Sequence, residues 1–154
     1  MKLSTREDIE APIGFVFDQI SDFDAYERRA LRQGIEVHRR TGGPVDPGTT
    51  WDIAFEFRGR ARPVVAELVT LDKPAAMVVE SSSDGLAVMS EVDLIALSQT
   101  RTRVMVNVHA KARTLTARML MQTLKLAKTQ LTKRFKGRVK SFAEEIEDRY
   151  RRDG

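Results

Sequence analysis

Few residues of this chain combine reactive chemistry with a spacing that would present it to a ligand. Glu7 alternates in phase with Leu3, Thr5 and Ile9, so one strand face would carry a carboxylate among mostly apolar neighbours. Buried without a partner, such a carboxyl has a raised pKa and serves as a general acid or as an acceptor for a ligand hydroxyl. Paired with a basic side chain, or exposed on a frayed or edge strand, it would be structural. Arg62 is the natural counterpart. A two-residue turn at Arg58-Gly59 or Gly59-Arg60 puts it on the face of Phe55 and Phe57, and an odd-length turn reverses that. It could then pair with Glu7, grip a ligand carboxylate in bidentate fashion, or lie in water at the sheet edge. Ser90, in phase with Val88, Val92 and Leu94, offers a third hydrogen-bonding group. With Glu7 as acid/base and Arg62 polarising a carbonyl, the set could act on a well-positioned substrate.

Other chemistries are poorly provided for. Thiolate chemistry and disulfides are excluded because the chain has no Cys. The two histidines, His38 and His109, each alternate out of phase with apolar neighbours and should face solvent. No HExxH, carboxylate cluster of metal-ligand spacing, Walker-type loop or dinucleotide fingerprint is present, so neither a metal nor a cofactor is expected. At 154 residues the chain is read as one domain, 1–154. The amino terminus lacks the apolar core of a secretory signal and no run is long enough to span a membrane, so a cytoplasmic setting is expected.

The net charge of +4 is unevenly distributed. No acidic side chain occurs between residues 94 and 143, while basic ones recur from Arg101 to Lys140. Such a run suits a peripheral contact with an anionic membrane or, more plainly, a solvated helix face. Nucleic acid is not an expected partner, because no aromatic residues are interleaved with the basic ones as a binding motif.

The elements that would position these residues follow from periodicity. A strand runs to about Glu10, and Pro12 opens a helix with the stripe Ile13, Val16, Phe17 and Ile20. Ser21 to Asp24 has capping-box spacing, which predicts a second helix through Tyr26 to about Arg32 with Gly34 as its stop. From Ile35 the period falls to two, and turn residues divide the chain into about six strands, an antiparallel sheet with one buried face. The last third, from Leu115 to Arg151, reads as one uninterrupted helix. Its stripe is Ala117, Leu120, Leu124, Ala127, Leu131, Phe135, Val139, Phe142 and Ile146. Strands and helices segregated in this way predict an α+β domain. A lone helix covers a twisted sheet incompletely, so either large side chains fill the remainder or it stays open as a cavity. Trp51, Ile53, Phe55, Val88, Ser90, Val106, Leu120, Met121 and Leu124 are its expected ligand-binding residues, although the same side chains would serve equally as core.

Several segments carry a resemblance. Ile9-Glu10-Ala11-Pro12, Val16-Phe17 and Ile20-Ser21-Asp22-Phe23-Asp24 come first, then Gly48, Leu71-Asp72-Lys73-Pro74 and Thr102-Arg103-Val104. In this order the chain resembles the START-related polyketide cyclase/dehydrase and lipid-transport (SRPBCC) superfamily along almost its whole length. The resemblance implies a helix-grip fold, a curved seven-stranded antiparallel sheet wrapped around a long C-terminal helix, with two short helices after the first strand. It also implies a pocket for a small hydrophobic molecule such as a lipid, an isoprenoid quinone or an aromatic polyketide. It supplies no universal catalytic motif, so binding or carriage is the expected role, with a cyclase/dehydratase-type enzyme and a basic interaction module as alternatives.

Overall fold

The computed structural model describes residues 1–57 and 59–153. A first strand, β1 (Lys2–Ile9), is followed by helices α1 (Ile13–Ile20) and α2 (Phe23–Arg32). Six more strands follow: β2 (Glu36–Arg39), β3 (Thr50–Phe57), β4 (Arg60–Asp72), β5 (Ala76–Ser83), β6 (Leu86–Ser98) and β7 (Arg101–Ala112). Helices α3 (Leu115–Leu126) and α4 (Lys128–Asp153) end the chain. All seven strands form one antiparallel sheet in the order β1-β7-β6-β5-β4-β3-β2. The α+β reading holds.

The local signals act mostly where the sequence places them. Pro12 precedes α1, which buries Val16, Phe17 and Ile20. One correction concerns the next cap. Asp22, not Ser21, caps α2 by accepting the Ala25 N–H at 3.1 Å, while the Ser21 hydroxyl donates to the Phe17 carbonyl at 2.8 Å and closes α1. Gly34, with φ of +77°, follows α2 in the left-handed region that favours glycine. Phe57 pairs with Arg60 and Phe55 with Arg62, which puts Arg62 on the Phe55 face. Arg58 and the Phe57 side chain lie outside the described residues. His38 and His109 are exposed.

The C-terminal arm departs from the single uninterrupted helix. It breaks at Ala127, whose N–H bonds to the Leu124 carbonyl at 3.1 Å while its own carbonyl accepts from Leu131 at 2.9 Å. The break lets the arm change direction between two supports: α3 rests on β7, and α4 lies chiefly along β1 with a smaller contact to α1.

Packing along the arm is uneven. Ala117 and Met121 of α3 are buried, as are Ala143 and Ile146 of α4, but Leu120, Leu124, Leu131, Phe135 and Val139 between them are only half-buried. The dense core lies at the α1 end, where Ile9, Val16, Phe17, Leu68, Leu94, Val104 and Ile146 form one cluster. The arm is therefore pinned at its ends and loosely supported between. This difference predicts unequal costs of truncation. Ile146→Ala, at a fully buried position, should destabilise by about 2–5 kcal/mol in urea unfolding, and Phe135→Ala by clearly less. Equal losses would contradict the end-pinned arrangement.

Candidate functional site

Where α4 diverges from the sheet and faces α2, a cavity of about 810 Å³ opens. Its apolar wall comes from alternating strand residues, Ile9, Met77, Val92, Val104 and Val106, with Ile20, Val139, Phe142 and Ile146 added by the helices. Its polar groups come from three elements. Glu7 projects from β1, Tyr26, Arg29 and Gln33 from α2, and Arg134, Arg138, Ser141 and Glu145 from α4.

These polar groups are not equally committed. Arg29 and Glu145 bridge α2 and α4 at 3.4 Å, and the Arg29 guanidinium lies 6.0 Å from the Phe142 ring centre. Tyr26 donates its hydroxyl to the Ile20 carbonyl, and burial pushes its pKa well above the usual tyrosine value. The Glu7 side chain, half-buried on the inward face of β1, has no hydrogen-bond or ion-pair partner among the described residues. On the outer face its neighbour Asp8 is held below the usual carboxylate range by the hydrogen bond from Arg103.

The α2 side of the cavity is held by a polar hub. One oxygen of Glu27 accepts from Arg39 Nε at 2.9 Å, Arg39 Nη2 at 2.6 Å and Trp51 Nε1 at 3.0 Å. Asp24 adds a bond to Arg39 Nη2 at 2.6 Å, and both carboxylates raise the Arg39 pKa, Asp24 foremost. Phe23 stacks on Trp51 with ring centres 5.1 Å apart. Phe23, Asp24 and Glu27 thus tie α2 to β2 and β3.

The expected site residues are distributed differently from the sequence reading. Glu7 and Val106 border the cavity. Arg62 does not: it bonds Asp84 at 3.3 Å and lines a separate groove of about 520 Å³ beside α3, together with Leu120. Glu7 and Arg62 stand on β1 and β4, four strand spacings apart, or roughly 19 Å in a flat sheet, so they form no pair. Trp51 is buried as the α2 anchor, and Met121 is buried beneath α3. Val88 lies in a shallow depression with Glu80, His109 and Lys111. Ile53, Ser90 and Leu124 are half-buried and do not line the cavity, and Phe55 is 36% exposed toward the open end of the sheet.

The residues missed are those from α2 and the flank of α4. Val92 and Val104 share the phase of Val106 through the pairs Val92–Val106 and Leu94–Val104, so alternation could have found them. Arg134 and Arg138 are four apart within the acid-free run, which signals a shared helix face but not what it borders.

No protein-family model matches the sequence, and no curated protein matches it significantly. Solved structures do. An aromatase/cyclase from Streptomyces aligns over 100% of this chain and 98% of its own, with TM-score 0.69 and 14% identity. Norcoclaurine synthase from Thalictrum aligns over 97% and 96%, with TM-score 0.68 and 10% identity. A START superfamily protein from Mycobacterium smegmatis aligns over 91% and 97%, with TM-score 0.56 and 15% identity. This is the helix-grip fold. In helix-grip terms the α4–sheet cavity is the space between grip and helix. Among the described residues no His, Asp and Glu cluster could hold a metal ion, and no helix is long and apolar enough to cross a membrane.

The hub gives a direct prediction. Glu27→Ala should cost about 1.5–3 kcal/mol in urea unfolding and shift the emission of Trp51, the single tryptophan, to the red. Unchanged stability and emission would show that the hub does not hold α2.

Proposed function

We propose that the protein binds or carries a small hydrophobic molecule in the cavity bordered by β1, β7, α2 and α4. The observation that carries this reading is the cavity itself: about 810 Å³, within the range of pockets that enclose small molecules, with an apolar wall of Ile9, Met77, Val92, Val104 and Val106. The helix-grip fold is consistent with it. A lipid, an isoprenoid quinone or an aromatic polyketide-like molecule fits the apolar wall equally well. Binding of the neutral dye Nile red tests the proposal. The wild type should bind it with enhanced emission, and Val106→Trp or Met77→Trp, which fill the cavity, should abolish the enhancement while retaining the native circular dichroism. Undiminished binding by both folded variants would overturn it.

A second reading rests on Glu7. Its carboxylate stands on the cavity wall with no protein partner among the described residues, as an acid/base group would. It would take the α-proton of a bound β-hydroxy ketone, leaving the enolate, and then return that proton to the β-hydroxyl as its C–O bond breaks, giving the enone and water and restoring the carboxylate. Arg62, far along the sheet, takes no part. If the protein dehydrates a β-hydroxy ketone probe, Glu7→Gln should lower the rate of enone formation by about 10²-fold or more without weakening Nile red binding. Turnover undiminished in Glu7→Gln would remove Glu7 from catalysis.

A further inference from the structure

The rim of the cavity carries a charge pattern that an apolar ligand alone does not account for. Arg134 and Arg138 stand one turn apart on the same flank of α4, both border the opening, and both are exposed. Neither side chain has a hydrogen bond or ion pair among the described residues. Glu145, the rim carboxylate, is already bonded to Arg29 on the opposite side. A like-charged pair four residues apart disfavours its own helix, so an arginine pair on a rim without a counter-ion is a local cost. The same turn contains Gly137, a poor helix former, at which a β-carbon would meet nothing within 4 Å. That turn is open and cationic.

We infer that the ligand is an amphiphile with an anionic head, a carboxylate or a phosphate, which Arg134 and Arg138 hold at the rim while its apolar body lies along Val92, Val104 and Val106. This inference rests on the cavity being the ligand site. The chemistry matches the geometry in two ways. Guanidinium groups one helical turn apart, with β-carbons about 5–6 Å from each other, can each give N–H donors to a different oxygen of one planar or tetrahedral anion. The interior sets the polarity: Glu7 on the wall repels a buried anion and accepts from a hydroxyl, so the charged end stays at the rim and a hydroxyl-bearing end is tolerated inside. Gln33 and Ser141 supply neutral hydrogen-bonding groups beside the head. Lys136 and Lys140 are also cationic and lie on α4, but they do not border the cavity.

Calorimetric titration with dodecanoate, dodecyl phosphate and dodecanol tests the inference in the full chain. Both anions should bind the wild type about tenfold or more tightly than dodecanol, the difference expected of one charge-assisted contact. Their advantage should shrink as salt is raised. In Arg134→Gln/Arg138→Gln the advantage should vanish while dodecanol affinity is unchanged. Lys136→Gln, on the same helix away from the rim, should keep it. A phosphate preference over carboxylate, or the reverse, would identify the head group. If dodecanol binds the wild type as tightly as the anions, or if the anion advantage survives the double substitution, the head-group inference is overturned and the cavity reading stands. If no probe binds, both fail.

Discussion

The structure depends on how one amphipathic arm is fixed to a curved sheet. Ile146 and Ala143 dock α4 into the cluster built around Phe17, Ile9 and Val104, and Ala117 with Met121 docks α3 at the other end. Between these points the arm must leave one support and reach the other, and it bends at Ala127 to do so. Burial of its apolar stripe is favourable wherever the sheet comes close enough. Between the two docking points Leu131, Phe135 and Val139 stay half-buried, and the space beside Val139 is unfilled. The cavity thus lies where α4 and the sheet are not packed together.

Electrostatics then determine what the unfilled space presents. On the α2 side, carboxylates and cations satisfy one another: Glu27 and Asp24 hold Arg39, and Glu145 holds Arg29. On the outer face of the sheet, Asp8 and Arg103 do the same. Against this background the cations of the α4 rim and the carboxylate of Glu7 are conspicuous for having no protein partner among the described residues. Charged groups that are left unpaired beside an apolar wall are suited to meet a ligand with one polar end.

How much could be read from the chain alone follows from the range of each signal. Strand alternation, the Ile13–Ile20 stripe, the stop at Gly34 and the inward face of Glu7 are local patterns, and the structure reproduces them. The fold was legible for the same reason, since order and length of elements are themselves one-dimensional. The location of the cavity was not. It depends on α4 lying along β1 instead of across β3, a contact between residues more than a hundred positions apart that no local period encodes. Trp51 shows the consequence: its apolar phase marks it as inward, but its indole N–H is used by Glu27, so it became an anchor and not a wall. Arg62 shows the other. The turn left its face open between two alternatives; it takes the face of Phe55, and the strand order carries it far from Glu7.

The central claim, that a ligand occupies the space bordered by β1, β7, α2 and α4, is tested most directly by methyl NMR. Dodecanoate would be titrated into protein labelled at Met, Val, Ile and Leu methyl groups. The account predicts saturable shifts at Met77, Val92, Val104 and Val106, with Val88 and Leu120, which border other depressions, unmoved. Shifts at Val88 or Leu120 with the four cavity methyls unchanged would contradict it.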